Sequence, residues 1–116
     1  MYEAFGMNCQ LDMSRTYIEE EIHEKLMKAF MSFKPVKQYR VLNYKIDLYF
    51  PTCSVAIECD EYAHKEYNRG KEVDRESRIT KELDCKWIRY DPYSLDFDIF
   101  LLIDRINSLI IQIKQE

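Results

Sequence analysis

The sequence predicts one α/β domain with the element order α-β-β-β-α-β-α, its mixed four-stranded sheet flanked by helices. Three observations carry that expectation. Ile18, Ile22, Leu26, Ala29, Phe30 and Phe33 recur at helical spacing. Two runs rich in branched and aromatic residues, Tyr44 to Phe50 and Val55 to Asp60, flank a turn at Pro51 to Ser54. A strand-like run, Lys86 to Tyr90, follows a second helical stretch, which is the order of a strand–helix–strand unit. A chain of 116 residues is long enough for one core and too short for two.

Each element has its own local signals. Residues 1–13 lack periodicity and read as an irregular lead-in. Thr16 and Glu19 fit a capping box that starts the first helix, and Pro35 is expected to end it. Lys37 to Val41 forms a first strand, turning at Leu42 and Asn43 into the strand from Tyr44. Glu61 to Gly70 is polar and aromatic and reads as a loop. Lys71 to Asp84 reads as the second helix, with Val73, Ile79 and Leu83 facing inward. Asp74 and Arg78 are spaced for an i, i+4 ion pair. Ser94 or Asp96 is expected to cap a last helix from about Asp96 to Lys114, whose wide apolar band is either well buried or shared with a partner.

Composition narrows the class. With 47% hydrophobic and 33% charged residues the chain is globular in character, and 2 Gly and 3 Pro leave little for linkers. No apolar run is long enough to span a bilayer and no secretory signal is visible, so an intracellular protein is expected, in the cytoplasm or a nucleus. Cys9, Cys53, Cys59 and Cys85 show no C-x-x-C pairing and read as reduced thiols packed in the core. A zinc site from Cys53, Cys59 and His64 matches no common spacing. A net charge of −4 is a poor footprint for binding nucleic acid by bulk electrostatics, and suggests help from a separate DNA-targeting domain or partner chain.

The acidic residues of the two central strands are the candidate site. Strict alternation puts Asp47 on the face opposite Ile46 and Leu48, and Glu58 and Asp60 together opposite Ile57 and Cys59. If the strands pair antiparallel, Asp47, Glu58 and Asp60 converge on one patch, where a hard divalent cation relieves their repulsion. The alternative is the solvated face of a half-covered sheet.

These residues resemble the PD-(D/E)xK nuclease superfamily, and within it the Vsr-like branch of very-short-patch-repair endonucleases and related domains. The likeness rests on Thr16-x-x-Glu19-x-x-Ile22, on Gln38 followed by Tyr44 to Phe50 with Asp47, and on Ile57-Glu58-Cys59-Asp60-Glu61 with His64. It extends through Asp74-x-x-x-Arg78 and Trp87-Ile88-Arg89-Tyr90, and covers roughly residues 16–110. It implies a restriction-endonuclease-like core and an endonuclease that hydrolyses DNA with Mg²⁺ or Mn²⁺. Asp47 and Glu58 would be the metal carboxylates, and the carbonyl of Cys59 a further ligand. Asp60 stands where most members carry Lys, and His64 would serve as acid or base instead. Glu19 would approach the metal through water, or act only in the capping box. Arg75 and Arg78 would contact the DNA backbone, or merely solvate a helix face. Glu61 departs from the common Gly, and the zinc-binding cysteines of the repair enzymes are absent. The competing expectations are a catalytically weak or inactive module that binds DNA or dimerises through the last helix, and a nuclease specific for RNA.

Overall fold

A computed structural model describes residues 18–60 and 69–115. It shows an α/β arrangement: helix α1 (18–29), strands β1 (Val36–Val41), β2 (Tyr44–Phe50) and β3 (Val55–Cys59), helix α2 (Arg69–Leu83), strand β4 (Lys86–Tyr90) and helix α3 (Ile99–Lys114). The strands lie in the order β1-β2-β3-β4. β1–β2 and β2–β3 are antiparallel and β3–β4 is parallel, because α2 carries the chain back to the starting end of the sheet.

The sheet has two unlike faces. On one, Leu48, Phe50, Val55, Ile57 and Ile88 pack against Ile22 and Leu26 of α1, Phe30 just after it, and Leu102, Ile106 and Ile110 of α3. On the other, a smaller cluster joins Val41, Ile46, Tyr49 and Ala56 to Ile79 of α2 and to Cys85. At roughly 25 cal/mol per Å² of apolar surface removed from water, the first face is the main source of stability.

Ile46 and Leu48 therefore lie on opposite faces, where strict alternation expected them on one. The reason is a turnover of the backbone. In β1, Lys37 pairs with Leu48 and Tyr39 with Ile46, while the rung between them, Gln38 opposite Asp47, is unpaired. Gln38 is left-handed (φ 52°) at this rung, and the register is the same on either side of it.

Two boundaries and the burial of two residues also differ from expectation. α1 stops before Pro35: a 3₁₀ turn, Met31–Phe33, follows it, closed by left-handed Lys34. Ala29 is exposed, while Phe33 packs partly into the core. Val73, expected to face inward on α2, is 64% exposed, because the helix turns Glu72, Arg75 and Glu76 toward the sheet. α3 is capped by Asp98, whose Oδ1 accepts the amide of Phe100 at 2.9 Å, rather than by Ser94 or Asp96. Thr16, the lead-in 1–13 and most of the loop 61–70 lie outside the described residues.

Cys53 and Cys85 are buried thiols and Cys59 is half-buried, none of them in a disulfide. Among the described residues, no helix is long and apolar enough to cross a membrane.

Candidate functional site

The site forms where the β2–β3 ladder opens. The last paired rung is Leu48 with Ile57. One step further, Asp47 and Glu58 stand opposite each other, and their carboxylates replace the missing backbone bonds. Asp47 Oδ2 accepts the amide of Cys59 at 3.0 Å, and Glu58 Oε2 accepts the amide of Asp47 at 3.3 Å. The exchange satisfies two backbone donors that the backbone turnover leaves without ladder partners.

Two arginines close the site from the α2 side. Arg75 grips Glu58 with both guanidinium nitrogens, at 3.1 Å and 2.8 Å, and also donates to the carbonyl of Lys45 and to Glu72. Arg89 faces Glu58 across the parallel β3–β4 rung at 3.6 Å, and forms a tighter pair with Glu76 at 2.6 Å. Both guanidinium groups also lie over rings, Arg75 over Tyr44 and Arg89 over Trp87. Trp87 is half-buried and donates its Nε1–H to Thr80.

Burial pushes the carboxyls of both Asp47 and Glu58 above their ordinary range. For Asp47, the Cys59 amide opposes that shift and the charge of Glu19 on α1 adds to it. For Glu58, Arg75 opposes and the charge of Asp47 adds. Glu19 thus lies within electrostatic reach of Asp47.

The sequence-predicted residues are distributed unevenly. Asp47, Glu58 and the amide of Cys59 come together. Asp60 is half-buried, its amide extends the β3–β4 ladder to the carbonyl of Tyr90 at 2.7 Å, and its charge favours ionised Arg89. Among the described residues, no three His, Cys, Asp or Glu side chains group as metal ligands. His64 and Glu61 lie outside the described residues. Arg75, expected at the DNA backbone, is instead turned into the site, its side chain only 17% exposed and committed to Glu58. Arg78 is exposed and bonds Asp74 at 2.9 Å, the pair its spacing predicts.

Two further features were missed. Arg89 becomes a site residue only through the parallel rung with Glu58, which no local pattern reveals. His23 and Tyr90 form a buried pair, Nε2 to the phenol oxygen at 2.8 Å, with the rings edge to face. Burial holds the His23 imidazole below its usual range, with the charge of Lys37 acting the same way. Burial and the charges of Cys59, Asp47 and Glu19 push the Tyr90 phenol up. The signal for His23 was present, since it stands four residues after Glu19 and three before Leu26 on the buried side of α1.

Comparison of the chain with protein-family models, curated proteins and solved structures returns no match.

Proposed function

We propose that this chain is a metal-dependent endonuclease domain of the PD-(D/E)xK type that hydrolyses DNA phosphodiester bonds. The observation that carries the reading is the pairing of Asp47 with Glu58 at the opening of the ladder, within reach of the charge of Glu19. The element order and the mixed sheet are those the resemblance implies, and they support it.

Asp47 and Glu58 supply the hard oxygen donors a dication requires, while Glu72 and Glu76 are held by Arg75 and Arg89. Burial already disfavours the charged forms of Asp47 and Glu58. Asp47, Glu58 and the carbonyl of Cys59 would hold Mg²⁺ or Mn²⁺. When bound, such an ion makes a nucleophilic hydroxide available near neutral pH and offsets the charge of the phosphate. The protein's part is to fix the two carboxylates through the Cys59 and Asp47 amides, and to balance Glu58 with Arg75 and Arg89. His64, four residues beyond Asp60, is the acid/base candidate.

The DNA-facing element follows from charge. Arg40 and Lys45 are exposed and stand directly opposite each other on the β1–β2 hairpin, one residue from the Ile46–Asp47 turnover. Like charges at one rung are destabilising by themselves and favourable against a polyanion. With Arg75 committed to Glu58, these two and Arg78 are the candidates for phosphate contact.

A second reading has its own support. Arg75 holds both oxygens of Glu58, which suits a structural anchor for α2 in an inactive module that binds DNA or self-associates through α3. Nicking of supercoiled plasmid with Mg²⁺ or Mn²⁺ decides between them. The nuclease reading expects nicking that EDTA, Asp47→Asn and Glu58→Gln each abolish. No nicking by the wild type, with no heat released on Mn²⁺ titration, would sink it in favour of the module. Preference for a matched RNA duplex over DNA would redirect the substrate.

A further inference from the structure

The two carboxylates of the candidate site are not equally open to a cation. Glu58 Oε1 accepts from Arg75 Nη1 at 3.1 Å. Its Oε2 accepts from Arg75 Nη2 at 2.8 Å and from the Asp47 amide at 3.3 Å. A carboxylate offers about four lone pairs; three take these bonds, and Arg89 Nη1 faces Oε1 from 3.6 Å. The Glu58 side chain is only 7% exposed and that of Arg75 17%, so water does not loosen the pair. Asp47 is the opposite case. Its Oδ2 accepts the Cys59 amide, and among the described residues its Oδ1 has no hydrogen-bond partner. To ligate a cation, Asp47 needs no rearrangement, while Glu58 must give up the fork of Arg75.

Arg75 has other partners already in place. It also donates to Glu72, at 3.3 Å, and to the carbonyl of Lys45. Both acceptors keep the guanidinium bonded when Glu58 is taken from it, so no half-buried charge is left unpaired. We propose that Arg75 is a positioning residue that stands in for the cation: it holds Glu58 in the free chain, and Glu58 exchanges it for Mg²⁺ or Mn²⁺ while the guanidinium stays on Glu72 and the Lys45 carbonyl. This deepens the nuclease reading and rests on it. The consequence is a raised threshold for the cation, because apparent affinity falls with the fraction of chains in which Glu58 is free. The threshold comes from the two-pronged geometry of the guanidinium and not from its charge alone.

The test is calorimetric titration of the full chain with Mn²⁺, beside Arg75→Lys. Lysine keeps the charge and loses the fork, so Arg75→Lys should bind Mn²⁺ about tenfold more tightly than the wild type. Asp47→Asn added to Arg75→Lys should abolish the heat, which locates the ion. A second measurement needs no variant. In the ¹³C,¹⁵N-labelled wild-type chain, the coupling across the hydrogen bonds from Arg75 Nη to the Glu58 carboxylate carbon should be present without metal and lost at saturating Mg²⁺. An Arg75 that only anchors α2 would keep it. Equal Mn²⁺ affinities of the wild type and Arg75→Lys, or a coupling that persists with Mg²⁺ bound, would overturn the proposal and leave the nuclease reading standing. Heat from neither protein, or heat that survives Asp47→Asn, would overturn both.

Discussion

The two faces of the sheet hold their helices by different physics. Under α1 and α3 the contact is almost entirely apolar, and among the described residues its buried polar feature is the His23–Tyr90 bond. Under α2, Ile79 packs on the sheet, while Arg75, Glu72, Glu76, Arg89 and Glu58 make a charged seam along the rest. The first face supplies stability that is insensitive to salt and, His23 apart, to pH. The second carries charge at the cost of stability, which is what the proposed nuclease site would require.

The largest effect should come from the apolar face. Ile106→Ala at a fully buried position should cost about 2–5 kcal/mol, read by urea unfolding and unmoved by added salt. A loss below 1 kcal/mol would mean that α3 contributes little, and the contrast between the faces would fail. Next is the charged seam. Arg75→Met removes the bidentate partner of a buried carboxylate and leaves Arg89 at 3.6 Å, so a loss of about 2–3 kcal/mol is expected at neutral pH. That loss should shrink in acid, where Glu58 is protonated.

The third concerns the buried polar pair of the apolar face. His23 is held below its ordinary 6.5 in the folded chain, so the unfolded chain takes up its proton first as the pH falls. Stability should decline below about pH 6.5 by up to about 1.4 kcal/mol per unit until the folded imidazole also titrates. His23→Gln should flatten that part of the profile. A profile unchanged by the substitution would remove His23 as its cause. The smallest effect should have the opposite sign. The Asp47 carboxyl lies above its ordinary range, so its charge costs stability as pH rises through its folded value. Asp47→Asn should raise neutral-pH stability by up to about 1 kcal/mol, and the gain should vanish in acid, where the wild-type carboxyl is already neutral. A destabilised Asp47→Asn at neutral pH would show that the Cys59 amide bond outweighs the cost of burial.

The two faces were also unequally legible in the sequence. α1 announces itself by period, since Ile22, Leu26 and Phe30 recur every fourth residue and are buried. α3 reads only as a wide apolar band through Phe97, Phe100, Leu101, Ile103, Ile106, Leu109, Ile110 and Ile113. Within that band Ile106 and Ile110 are buried, Phe100 and Leu101 stay exposed, and the buried Leu102 was missed. The antiparallel pairing of β2 with β3 and the meeting of Asp47 with Glu58 followed from two runs and a short turn. The seam did not. Val73 reads as a core residue by hydropathy alone, yet α2 turns its charged side inward because Arg75 has a buried carboxylate to meet. That carboxylate lies 17 residues away in sequence. Arg89 depends on a parallel rung, and parallel register leaves no local trace. The displacement of Ile46 from the face of Leu48 falls at the unpaired rung opposite left-handed Gln38 in the neighbouring strand. A period-two reading of β2 taken by itself has no access to it.

The exchange of carboxylates at the ladder's opening has a consequence for spectroscopy. The amide protons of Asp47 and Cys59 are held by side chains whose charge varies, not by carbonyls whose charge is constant. Protonation of either carboxyl, or withdrawal of its oxygen toward a cation, weakens the bond to a particular amide. Those two resonances are therefore native reporters of the site. The Cys59 amide follows the state of Asp47, and the Asp47 amide follows the state of Glu58. Their shifts and exchange rates would resolve the two carboxylates individually, with no substrate, label or turnover.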